Sequence, residues 1–142
     1  MIKQVCTFME NRPGQLVEIL ALLSGGGINL RALNVAETKD YGVLRFIAND
    51  YEKAMALLKD NGYIASAAEV YVFQVDDEIG GLEKTIRAFA DDGVDIGYMY
   101  SFSTEINKKA GVVIFANNED VLKESITKNG IRIVTPDELG IK

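Results

Sequence analysis

The chain contains itself twice, and a duplicated chain of 142 residues is expected to fold as two small similar units rather than as one ordinary domain. Gly14-Gln15-Leu16 matches Gly80-Gly81-Leu82, and Gly27-Ile28-Asn29-Leu30 matches Gly93-Val94-Asp95-Ile96, both at an offset of 66 (80 − 14 and 93 − 27). Ala48-Asn49 then matches Ala116-Asn117, and Asn61-Gly62 matches Asn129-Gly130, at an offset of 68 (116 − 48 and 129 − 61). The two extra residues enter between Asp95 and Ala116, where a longer hairpin loop absorbs them. The repeat sets the units at 1–68 and 69–142.

Each copy has the same order of elements. Ile2 to Met9 is rich in strand formers and ends in the turn signal Glu10-Asn11-Arg12-Pro13-Gly14. Leu16, Ile19, Leu20 and Leu23 recur with helical spacing, and Gly25-Gly26-Gly27 ends that helix. Strands Ile28–Thr38 and Val43–Ala48 flank the turn Lys39 to Gly42; a helix over Tyr51–Asn61 carries Ala54, Leu57 and Leu58 inward; Tyr63–Ala68 is a last strand. The second copy repeats this with strand Val70–Val75, a helix facing inward through Leu82, Ile86 and Phe89, and strands Ile96–Ser103 and Val112–Ala116. A helix through Val121, Leu122 and Ile126 and a strand Ile131–Val134 complete it. Thr135-Pro136-Asp137-Glu138 has the form of a capping box and predicts a terminal helical turn. The order βαββαβ predicts an α+β fold: two tandem ferredoxin-like units, each an antiparallel sheet with both helices on one face. A unit of about 70 residues is marginal alone, so the units are expected to associate and the chain to form a homodimer.

Composition narrows the function. The formal charge is −6, and the densest basic cluster is Lys108-Lys109, which predicts no nucleic-acid partner. There is no His and one Cys, so the usual transition-metal ligands and the commonest general base are missing. No cofactor and no catalysis are expected. No apolar run is long enough to span a bilayer, the first residues lack a signal-peptide pattern, and the lone Cys6 fits a reducing compartment. A cytoplasmic protein without a membrane partner is the expectation.

The sharpest local signal is the strand-to-helix turn Asn11-Arg12-Pro13-Gly14-Gln15-Leu16. Proline fixes the turn, glycine permits close backbone approach, and the helix start offers N–H groups suited to a carboxylate. Asn11 carries donors and an acceptor that can read both ends of an amino acid, and Asn29, after Ile28, could sit on the same edge. The same residues also make a good turn with Asn11 as a helix cap. In the second copy Asn11 becomes Asp77 and Asn29 becomes Asp95; with Asp76 and Glu78 these could hold an ammonium group or a hard cation, or form a solvated acidic turn. Tyr98, Tyr100 and Phe102 alternate on one strand and are expected to pack on a sheet face, and Cys6 is read as a small core residue.

The strand, the Glu-Asn-Arg-Pro-Gly-x-Leu turn, the helix and the following Gly27-Ile28-Asn29-Leu30 resemble ACT domains, most of all the regulatory domain of D-3-phosphoglycerate dehydrogenases. The resemblance covers nearly the whole chain as two successive units. It implies a non-catalytic regulatory module that binds a free amino acid at an interface between units and passes its output to a separate metabolic enzyme. The alternative is a ligand-free oligomerisation module for a partner enzyme. By this resemblance Asn11 and Asn29 are ligand contacts; Arg12, Pro13, Gly14, Gln15, Leu16 and Ile28 are read as candidate ligand-binding residues around them, and the second unit is read as structural or as contributing one wall through Asp77 and Asp95. Where those domains have a histidine two positions before the turn asparagine, this chain has Met9, so their effector serine is not implied.

Overall fold

The computed structural model describes residues 1–103 and 109–141. Lys108 of the basic pair therefore lies outside the described residues. Two compact units are present: Ile2–Glu69, joined by the residues from Leu139 on, and Val70–Glu138, joined by Met1.

In the first unit, β1 (Ile2–Met9), α1 (Gln15–Gly25), β2 (Leu30–Glu37), β3 (Gly42–Ala48) and α2 (Tyr51–Asp60) lead into β4 (Ala65–Val75). The strand order is β2-β3-β1-β4, with β3 antiparallel to both β1 and β2. Alternation along the strands sends Val5, Leu44, Phe46 and Ala48 to one face. Ile19 and Leu23 of α1 and Ala54 and Leu58 of α2 pack there, so both helices share that face. The inward stripe of α1 is turned from the expected one: Gln15 is buried and Leu22 packs on the core, while Leu20 is only half-buried.

The second unit continues from β4 through α3 (Gly81–Asp91), β5 (Ile96–Ser103), β6 (Ala110–Ala116) and α4 (Glu119–Lys128). Here β6 pairs antiparallel with both β4 and β5. Phe73, Phe89, Val112, Ile114, Leu122 and Ile126 form its core, with Phe73 and Phe89 edge to face at 5.5 Å. Leu82, expected inside, is 39% exposed.

Two expected strands take a different form. Tyr63–Ala68 and Val70–Val75 are one strand, β4, because nothing in Ala67-Ala68-Glu69-Val70 breaks an extended chain. Ile131–Val134 is reduced to a single bridge, Ile133 to Phe73, flanked by Gln74 N–H to Arg132 carbonyl (3.0 Å) and Val134 N–H to Val72 carbonyl (2.7 Å). Pro136 follows closely and has no N–H to extend the ladder. The terminal turn Asp137–Leu139 forms as expected, Glu138 N–H meeting Thr135 Oγ1 at 3.4 Å. No helix among the described residues is long and apolar enough to cross a membrane.

Candidate functional site

The turn after β1 is tied at both ends. Arg12 N–H donates to the Glu10 carbonyl (2.9 Å) and Gln15 N–H to that of Arg12 (3.4 Å). Gly14 holds the N-cap position of α1 at φ 88, a left-handed conformation that glycine adopts without strain; Gly80 repeats it at φ 84. Among the described residues no side chain caps α1. Asn11 is therefore not the cap; its Nδ2 donates to the Thr38 carbonyl at 3.0 Å and pins the turn to the β2–β3 hairpin. Asn11 stays exposed, with Pro13 and Gly14 beside it.

Arg12 is committed to carboxylates of its own chain. Its Nε meets Glu10 at 2.9 Å and its two Nη atoms meet Glu18 at 3.3 and 2.8 Å. These hydrogen bonds, Glu18 first, raise the guanidinium's pKa above its already high ordinary value. Gln15 is 4% exposed. Its Nε2 donates to Glu18 (3.0 Å) and to the Tyr63 hydroxyl (3.2 Å), and its Oε1 accepts from the Glu10 N–H (3.4 Å). Leu16 packs partly against the core, and Ile28 is a core residue. Tyr63 and Glu18 are the members of this network that the turn motif did not reveal; neither lies within it.

Asn29 does not share an edge with Asn11 within the unit. Met9 and Glu37 are both opposite Gly42, whereas Leu30 is opposite Ala48. Asn11, just past Met9, and Asn29, just before Leu30, are thus separated by the length of β3, about 20 Å at ~3.4 Å per residue. The parallel run of β1 and β2 dictates this, since one asparagine follows its strand and the other precedes its own. Asn49 brackets Asn29: its Oδ1 accepts from the Asn29 N–H (2.9 Å) and its N–H donates to the Asn29 carbonyl (3.0 Å).

The second unit repeats the frame with other chemistry. Glu78 N–H donates to the Asp76 carbonyl at 2.8 Å, as Arg12 does to Glu10. Asp77 is exposed on this turn. Asp95 sits at the other end of the sheet, since Ile96 is opposite Ala116 and Val75 opposite Ala110. Its carboxylate accepts from Asn117 Nδ2 (3.2 Å) and its N–H donates to Asn118 Oδ1 (2.8 Å). The acidic residues therefore do not converge. Among the described residues no group of three or more His, Cys, Asp or Glu could hold a metal ion. Tyr98 stacks on Phe115 at 5.1 Å and Tyr100 is buried, both on the face away from the helices. Cys6 is half-buried, and that burial raises its thiol pKa above the ordinary value.

Comparison with known proteins follows the same lines. The family model described as an ACT domain pair matches residues 1–141. The crystal structure of protein BT0572 from Bacteroides thetaiotaomicron is 35% identical, with a TM-score of 0.89 over 98% of this chain and 95% of that one. The ligand-free regulatory subunit of aspartate kinase from Thermus thermophilus is 14% identical, with a TM-score of 0.65 over 89% and 91% of the two chains, a likeness of fold alone. Aspartokinase III of E. coli, in complex with lysine and aspartate, matches at 11% identity and a TM-score of 0.51, over 89% of this chain and 31% of that one. A search of curated proteins finds no match.

Proposed function

Because this chain belongs to the ACT domain family, as a tandem pair of its units, we propose that it is a non-catalytic amino-acid sensor whose ligand lies at an interface between ACT units. The family is one of regulatory domains that typically bind amino acids. The observation that carries the reading is that the first unit alone keeps the amide pair: Asn11 and Asn29 are exposed at opposite ends of its sheet, while the second unit has Asp77 and Asp95 there. A site using both amides needs a second unit to bring the two ends together.

The edge of the first unit supports a second copy of this chain in that role. β2 is an edge strand, and Leu33 and Val35 on it are 42% and 45% exposed, with Val17 of α1 at 68%. Antiparallel pairing of two β2 strands about Asn34 sets Leu33 against Val35 of the other copy and Arg31 against its Glu37, an isologous and charge-complementary match. Neither Arg31 nor Glu37 has an ion-pair partner among the described residues. The same register brings Asn11, held to Thr38 at one end of β2, beside Asn29 of the other copy. The ligand's carboxylate then meets the N-terminal turn of α1 beyond Gly14, and its amine meets the asparagine side chains. Arg12, already engaged by Glu10 and Glu18, orders the turn. Output passes to a separate metabolic enzyme, and the protein works in the cytoplasm.

A thermal-shift screen against the free amino acids tests this. A ligand at 100 times its Kd should add about 2.7 kcal/mol of stability, a shift of several degrees, and Asn11→Ala should remove it. The exposed apolar edge also favours a second reading, a ligand-free assembly module. No shift with any amino acid, together with a dimer that Val35→Lys dissociates, would establish that reading instead.

A further inference from the structure

The second unit has a cavity where the first has side chains. In the first unit Gln15 fills the space beneath the turn and, with Arg12, hydrogen-bonds the Glu18 carboxylate. At the repeat offsets, Gly81 replaces Gln15, Lys84 replaces Glu18 and Ile131 replaces Tyr63. A side chain at 81 is excluded, because its Cβ would stand 2.4 Å from the Asp76 carbonyl oxygen. What remains is an open cavity of about 320 Å³ between the end of β4, α3 and residues 129–132.

Its lining is rich in donors: Lys84, Lys109, Arg132, Thr85 and Asn129 border it, together with Glu78. Lys109 meets Asp76 at 3.0 Å and Arg132 meets Glu138 at 3.0 Å. Lys84 and Glu78 have no ion-pair partner among the described residues. The cavity thus presents one uncommitted cation and one uncommitted carboxylate within a polar wall, at the small end of the range for metabolite sites. We propose that it binds a small carboxylate that also carries a hydrogen-bond donor, a hydroxy acid or an amino acid, with the carboxylate on Lys84 and the donor on Glu78. This site lies wholly within the second unit and does not depend on the first-unit reading.

Three molecules of one shape separate the possibilities: L-malate, L-aspartate and succinate bear a hydroxyl, an ammonium and no donor beside the same two carboxylates. Each is titrated at constant ionic strength into the full chain, followed by amide NMR. The site predicts saturable shifts confined to residues 74–88 and 129–132 for malate or aspartate, with succinate weaker. Lys84→Glu should weaken binding about tenfold or more, and Glu78→Gln should bring malate and aspartate down to the level of succinate. Which of the two binds tighter identifies the donor. Absence of a saturable shift, or equal affinity in Lys84→Glu, overturns the site; equal affinity for succinate overturns the role of Glu78. Both substitutions are at exposed positions outside the first unit, so a negative result leaves the thermal-shift response assigned to Asn11 intact.

Discussion

In the first unit the residue that caps the end of α1 is Gly26, against which Leu57 of α2 lies so closely that a Cβ would stand 2.3 Å from its Cδ1. In the second unit the same place is Asp92, whose carboxylate accepts from Ser125 (2.7 Å), Lys128 (2.6 Å) and Asn129 (2.8 Å) at the end of α4. Gly26 and Asp92 are repeat equivalents, as are Leu57 and Ser125. A small residue facing a large apolar one has been exchanged for an acid facing a hydroxyl, and the helix pair is kept. The same trade recurs under the first turn, where Gln15 fills the unit and Gly81 leaves it open. Duplicated frames retain topology through their glycines and core strands, while the chemistry at each helix end diverges in matched pairs.

The comparison can be broken hardest in the cores. Phe46→Ala in the first unit and Phe89→Ala in the second, both fully buried, should each cost about 3–5 kcal/mol in denaturant unfolding. A cost below ~1 kcal/mol for either would show that its unit lacks the core described. Next is a transplant at the helix junction. Gly26→Asp places a carboxylate against Leu57 and should destabilise by about 1–3 kcal/mol, with Leu57→Ser in the same chain recovering part of the loss. Simple additivity of the two would deny that these positions are matched.

A pH experiment sharpens the same contrast. Hydrogen bonds from Lys128, then Ser125 and Asn129, hold the Asp92 carboxyl at about 2, below its ordinary 3.8. Its contribution to stability is full above the unfolded value and is lost as pH falls from about 4 through about 2. Asp92→Asn should flatten the unfolding curve in that window, and Gly26 variants should leave the slope unchanged. The smallest effect is expected at Arg12: its pairs with Glu10 and Glu18 are exposed, so Arg12→Ala should change stability by less than about 1 kcal/mol.

The repeat offsets made both βαββαβ units legible because glycine positions and apolar periods survive divergence. Three features escaped for physical reasons. Strand β4 runs through the expected boundary because Ala68-Glu69-Val70 carries no breaker, and hydrophobic period cannot tell one long strand from two abutting ones. The separation of Asn11 from Asn29 follows from strand direction, which local sequence does not encode. The Gln15–Tyr63 contact and the cavity at Gly81 depend on residues 48 or more positions apart, although the paired exchanges Gln15 to Gly81, Glu18 to Lys84 and Tyr63 to Ile131 stood at the repeat offsets. Asn49 and Asn117 marked the repeat, and their work of bracketing Asn29 and Asp95 appeared only in the hydrogen bonds.

The most direct test of the first-unit site is calorimetric titration with the amino acid that raises the melting temperature most. The expected result, measured in a Lys84→Glu background, is one molecule bound per chain, none when Asn11→Ala or Asn29→Ala is added, and unaltered first-unit affinity when Asp77→Asn and Asp95→Asn are added together. Full binding with Asn11→Ala, or loss of binding with the Asp77→Asn, Asp95→Asn pair, would contradict the account.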